Sequence, residues 1–210
     1  FLHRTDFDVP QEETLRAIDD LQHSGKVRYI AVSTHPTWRT VEAIHIAERY
    51  GFPKPICEQP PYNILERRIE NELIPMCASY DLGIVSWSPL AHGMLAGRYA
   101  DANKLPEGSR GTVRSIFNER INSEGVEIGN KLAEYAKMKG IEPAAFAIGW
   151  VIGQAQITAA IIGPRTKEHF ISSLKALDVE MSEEDTAFVN ALVPPGRYVS
   201  NFFNTSGWMK

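Results

Sequence analysis

What most limits the fold of this chain is an alternation of two textures along its 210 residues. Short β-rich runs occur at FLH (1–3), VRYIAVS (27–33), PICEQ (55–59), GIVSW (83–87) and TAAIIG (158–163). Between them lie longer stretches with helical period. Leu15, Ile18 and Leu21 recur three apart before a stop at Gly25-Lys26, and Val41, Ile44 and Ala47 share a face before Gly51. Ile69, Leu73, Met76 and Tyr80 form a stripe that predicts one helix, kinked at Pro75. Val126, Leu132 and Ala136 mark the next, Pro143 opens another at its first turn, and TKEHFISSLKALD reads as a helix after the last β run. Ser182-x-x-Asp185 caps a final one. Crossovers of this length join parallel neighbours. Such a sheet is either open and doubly wound or part of an eight-stranded barrel. A complete (β/α)8 barrel takes about 250 residues. Five units, the first starting in mid-strand, predict a single domain that is the back portion of such a barrel.

Composition removes several classes of function. The formal net charge is -4 and no face-length run of Lys or Arg occurs, so nucleic acid is not an expected partner. No apolar run approaches the roughly 20 residues of a membrane span. Cys57 and Cys77 lack CxxC spacing and sit in apolar surroundings, which predicts reduced core thiols in a cytoplasmic protein. No signal peptide precedes the fold, and Phe1 is not a normal initiator. From Ser88 to about Asn122 periodicity fails and Gly, Pro, Ser and Arg accumulate, as in a functional loop.

In parallel architectures ligands bind at the carboxyl ends of the strands. Here those ends carry His3, Ser33-Thr34, Gln59, Trp87-Ser88 and Gly163-Pro164-Arg165. Carboxylates and imidazoles do not converge, so no metal site is expected. The set suits a neutral, planar ring bearing an amide. Ser33 and Gln59 can pair with a carboxamide, and Trp87 can stack on a ring.

At these positions the chain resembles the aldo-keto reductases. The motifs are LHRTD (2–6), GKVRYIAVST (25–34), EQPPYN (58–63), GIVSWSPLAHGMLAGRY (83–99) and IIGPRT (161–166), in family order and spacing. The resemblance implies a (β/α)8 barrel, with about strands four to eight in this chain, and hydride transfer between a nicotinamide and a small carbonyl substrate. It implies that Ser33, Thr34 and Gln59 hold the carboxamide and that Trp87 stacks on the nicotinamide. Ser88, Leu90, Gly93 and Leu95 would wrap the pyrophosphate. Gly163, Arg165, Thr166, His169 and Ser173 would reach the adenosine end. NADPH is the expected cofactor because Arg165 can pair with a 2′-phosphate, with NADH as the alternative. Two departures bear on this choice. His169 stands where many relatives carry Arg or Gln, and Ser172-Ser173 where they often carry Glu-Asn.

His3 matches the family's catalytic histidine, which donates a hydrogen bond to the substrate carbonyl. A histidine at a strand end is more often structural, but the HRTD context and the strand order favour function here. The family's Asp, Tyr and Lys would fall before Phe1, so residues 1–210 alone are expected to turn over little or not at all. Trp38, Phe117 and Trp208, with Tyr198, Phe202 and Phe203, are candidates for an aromatic substrate wall. The alternative function is a non-catalytic, nicotinamide-binding regulatory subunit of the same fold.

Overall fold

The structure is a computed structural model and describes residues 1–109, 112 and 120–203. Helix α1 (Gln11–His23) leads to β1 (Ile30–Val32), α2 (Thr37–Tyr50) and β2 (Pro55–Glu58). A 3-10 turn (Arg68–Glu70) precedes α3 (Leu73–Ser79) and β3 (Gly83–Trp87). After an irregular segment, Ala91–Ala96, come α4 (Ser123–Met138), α5 (Pro143–Ile152), β4 (Ile157–Ile161), α6 (Lys167–Leu174) and α7 (Glu183–Leu192). The strands pair in the order β1-β2-β3-β4, every pair parallel. A doubly wound sheet reverses its strand order at a switch point, and this order never reverses. It is the winding of a barrel. Phe-Leu-His contributes a single parallel bridge, Leu2 to Val32, rather than a full strand. Leu2 donates to the Ala31 carbonyl at 2.8 Å and its own carbonyl accepts from Ser33 at 3.0 Å.

One sequence expectation is corrected. The stripe from Ile69 to Tyr80 is not one kinked helix. The backbone leaves helical geometry at Glu72 (φ -143°), and α3 starts afresh at Leu73. Pro75 therefore lies in a first turn, where its missing N–H costs no hydrogen bond. Ile69, Leu73 and Met76 remain buried, while Tyr80 is partly exposed and meets His45 edge-on at 6.0 Å.

The core lies between the sheet and its covering helices. Ile84 from β3, Leu132 from α4, and Phe146 and Trp150 from α5 are all buried within it. Residues 145–151 of α5 are buried without a break, so this helix sits between its neighbours rather than on the surface. Helix α4 packs against the 91–96 segment at Gly129, where a Cβ would stand 2.3 Å from the Met94 carbonyl oxygen. The close approach fixes the irregular segment against a rigid helix. Helix α7 begins with a complete capping box between Ser182 and Asp185. Asp185 Oδ1 also accepts from Lys139 Nζ (2.7 Å) and Tyr135 Oη (2.9 Å) on α4. Burial would raise this carboxyl, but the bonds from Lys139, Ser182 and Tyr135 win and hold it well below the usual carboxylate range.

The segment after α7 is strapped to the 62–70 loop. Glu66, fully buried, takes a bidentate Arg68 guanidinium and accepts from the backbone N–H groups of Phe202 and Phe203 at 2.9 and 3.0 Å. Val199 N donates to the Leu65 carbonyl at 2.9 Å. Among the described residues, no helix is long and apolar enough to cross a membrane.

Two outcomes are expected. Gly129→Ala pushes α4 off the 91–96 segment and lowers stability by about 2–3 kcal/mol in urea unfolding, as overpacking does. Asp185→Asn loses about 1–2 kcal/mol at neutral pH. A depressed folded-state pKa stabilises above the unfolded value, ordinarily 3.8, and is lost as pH falls through the folded value. The gap between wild type and Asp185→Asn therefore closes in acid, which unfolding curves over a pH series measure.

Candidate functional site

The register of the ladder sets the site. Leu2, Val32 and Glu58 pair side by side across three segments. One residue further along each segment stand His3, Ser33 and Gln59, level at the carboxyl mouth of the sheet. Ser33 Oγ donates to the Gln59 carbonyl at 3.0 Å and lies 3.4 Å from Gln59 Oε1. Thr34 N donates to the same carbonyl at 3.2 Å. Trp87 ends β3, and its indole Nε1–H donates to Thr34 Oγ1 at 3.2 Å, which fixes the ring in its own plane. The Arg120 guanidinium lies 5.6 Å from the Trp87 ring and 5.3 Å from the Phe202 ring. Phe202 packs edge-on to Trp87 at 6.2 Å and lies 4.8 Å from the His92 ring.

The backbone at this mouth is strained. Five described residues other than glycine have positive φ, and four of them are Thr34, Ser88, Ala91 and His92. Each such conformation costs of order 1 kcal/mol and persists only where surrounding structure enforces it. Gly93, at φ +101°, follows in the same turn, so the chain can double back beneath Trp87.

A cavity of about 460 Å³ opens beside this turn. Trp87, Ser88, Leu90 and Gly93 form one side, and Gly163, Arg165, His169 and Ser173 the other. Two cationic side chains stand in its wall, Arg98 and Arg165. Arg98 Nη2 reaches His169 Nε2, and Arg165 Nη1 donates to the Gly108 carbonyl, both at 2.5 Å. Helix α6 begins at this end, with Thr166 Oγ1 accepting from His169 N at 3.2 Å. The cavity wall thus combines an indole with two guanidinium groups, groups that a ligand with a flat ring and a phosphate can use, beside the carboxylate of Glu142.

The sequence-predicted residues separate into three groups. Trp87, Ser88, Leu90, Gly93, Gly163, Arg165, His169 and Ser173 line the cavity. Ser33, Thr34 and Gln59 adjoin it through the Thr34–Trp87 bond, and His3 lies exposed beside them at the same level. Leu95 and Thr166 serve other ends. Leu95 is fully buried in the core behind the wall, and Thr166 caps a helix. Trp38 stands outside the cavity wall; it is half-exposed and packs on Phe7 at 6.2 Å, with Arg39 against both rings. Phe117 and Trp208 lie outside the described residues. Sequence reasoning missed His92, Arg98 and Glu142, which also line the cavity. Arg98 was within reach, since it follows Gly97 inside a motif already singled out. Glu142 directly precedes Pro143 and gave no such signal; in the fold it pairs with Ser172 and Lys175.

Burial sets the remaining titrations. It drives the His35 imidazole down to about 4, against a bond to the Ser33 carbonyl that would raise it. It pushes the Glu58 carboxyl up to about 8 and the Cys77 thiol up to about 12, and it raises Cys57 as well. Neither thiol is poised as a nucleophile. Among the described residues, no group of three or more His, Cys, Asp or Glu side chains is placed to hold a metal ion.

The sequence matches the model of the Aldo/keto reductase family over residues 1–194. It is 34% identical to an uncharacterized oxidoreductase of Bacillus subtilis over 93% of this chain and 58% of that protein. It is 33% identical to a probable voltage-gated potassium channel subunit beta of Oryza sativa subsp. japonica, over 85% of this chain and 56% of that one. Versiconal hemiacetal acetate reductase of Aspergillus parasiticus is 31% identical over 90% of this chain and 54% of its own length. The chain thus spans about half the length of the curated relatives it matches. Its parallel, never-reversing sheet is a part of the barrel that this family shares. The chain belongs to the aldo-keto reductase family.

Proposed function

We propose that the protein reduces aldehydes or ketones to alcohols with a nicotinamide cofactor, NADPH in preference to NADH, and that this chain carries the cofactor-binding half of the site. One observation carries the reading. An indole whose edge is bonded to Thr34 lines the same cavity as two guanidinium groups, Arg98 and Arg165.

The donor set suits such a cofactor. Ser33 and Gln59 offer a hydroxyl and an amide to a ring carboxamide, and Trp87 offers a flat face that leaves the opposite ring face open. Ser88, Leu90 and Gly93, on the tight turn beneath, bring backbone close to a pyrophosphate. Arg98 and Arg165 supply charge for phosphate, which favours the 2′-phosphorylated form. When bound, the reduced nicotinamide supplies a hydride to the carbonyl carbon. His3 donates a hydrogen bond to the carbonyl oxygen and orients it. The proton that completes the alcohol comes from an acid carried outside residues 1–210, as the family resemblance implies. Arg120 and Phe202 restrain the Trp87 ring and so fix the distance across which the hydride moves. The expected compartment is the cytoplasm.

A second reading is a nicotinamide-binding subunit that does not turn over. It is favoured by the similarity to proteins named as probable or putative voltage-gated potassium channel subunits beta.

NADPH is expected to quench tryptophan fluorescence of the protein, with an affinity that Trp87→Ala weakens by about tenfold or more. Quenching that the substitution leaves unchanged removes the stacking assignment. Oxidation of NADPH by an aromatic aldehyde, followed at saturating cofactor in a protein that joins this chain to the family's Asp, Tyr and Lys, separates the two readings. Binding with turnover supports the reductase, and binding without turnover supports the subunit.

A further inference from the structure

Among the described residues, Glu58 is the buried carboxyl at the mouth that the proposed chemistry does not use. Its residue is fully buried, yet it ends β2 directly before Gln59. Oε1 accepts from the backbone N–H of His35 at 3.2 Å. Oε2 is buried with no hydrogen-bond partner. A carboxyl so placed is costly to keep unless it holds something. What it holds is the turn in which Thr34 has φ +55°, a strained conformation for a β-branched residue. That turn presents Thr34 Oγ1 to the Trp87 indole.

We propose that Glu58 is a positioning residue: from beneath the mouth its carboxyl pins the Thr34–His35 turn, and through Thr34 it fixes the plane of the Trp87 indole. The inference rests on the nicotinamide reading for its functional consequence, but the geometric part stands without it. β1 stops at Val32, and Thr34 is tied to the end of β2 through one acceptor, the Gln59 carbonyl, which its Oγ1 also meets at 3.4 Å. The main-chain bond from Thr34 N to the Gln59 carbonyl fixes only one point of the turn. The His35 N–H, two residues beyond Ser33, is the second point, and Glu58 alone meets it.

The groups around Glu58 separate its titration from theirs. His35 stays neutral above about 4, Cys77 stays a thiol to about 12, and Cys57 is raised above its ordinary 9.0. Arg4 and Arg39 are the charged groups that act on His35. Between pH 6 and 9, roughly, Glu58 is thus the group that changes charge beneath the turn.

The test is the indole N–H spectrum of the full chain labelled with nitrogen-15, recorded without cofactor. Trp87→Phe identifies the Trp87 resonance. In Glu58→Leu that resonance is expected to move towards the free-indole position, with hydrogen exchange faster by about tenfold or more. The Trp150 resonance stays in place and reports that the core is intact. Thr34→Val gives the same change, and Glu58→Gln, which keeps an acceptor oxygen, restores the wild-type spectrum. A Trp87 signal unaltered in Glu58→Leu overturns the proposal. Should Glu58→Leu fail to fold, the wild type decides instead. Its Trp87 resonance should titrate over about pH 6–9 and that of Glu58→Gln should not; a flat profile in wild type overturns the proposal. NADPH affinity should fall about fivefold or more in Glu58→Leu and hold in Glu58→Gln. If wild type binds no NADPH, the nicotinamide reading fails while the indole spectra still decide the role of Glu58.

Discussion

A parallel ladder in strictly sequential order cannot scatter the carboxyl ends of its strands. Each hydrogen-bonded pair fixes the next segment's level to within a residue, and a one-residue slip would exchange core and exposed faces. Ile84 faces the core, while Gly83 faces Cys57 and Thr158 on the other side of the sheet. Burial therefore specifies the register, and the register sets His3, Ser33 and Gln59 at one level. The arrangement of the mouth is thus secured by hydrophobic burial on the far side of the same strands.

The mouth spends part of that stability. Thr34, Ser88, Ala91 and His92 sit in left-handed backbone, and Glu58 keeps an unpaired oxygen in the interior. Cooperative restraint makes these tolerable. Helix α4 presses on the irregular segment through Gly129, and Asn63 Nδ2 donates to the Ser88 carbonyl at 3.0 Å. Strain gathered at one end of a sheet whose body is regular is how a fold keeps reactive geometry rigid without weakening its core.

The sequence revealed the strands, the helices after them and part of the cavity wall, because each rests on local pattern or on motifs with ordered spacing. Apolar periodicity located α1, α2 and α4, Pro143 marked the start of α5, and Ser182-x-x-Asp185 located the last helix. It misjudged the region around Pro75, where a shared apolar stripe spans two separate elements. Periodicity records which side chains face the core but not whether the backbone between them stays helical. Leu95 is buried in the core and Thr166 caps a helix, since a motif locates backbone and not the direction of each side chain. Glu142 carried no sequence signal, and Glu58 none beyond its place in EQPPYN, because their roles come from neighbours brought close only by the fold.

Glu66 binds the backbone of a residue 136 positions further along the chain. Contacts of such separation form late, after local helices and adjacent strands have condensed. During translation the ring of Trp87 is made long before Phe202 leaves the ribosome. The nascent protein therefore passes through an interval in which the indole lacks its aromatic neighbour.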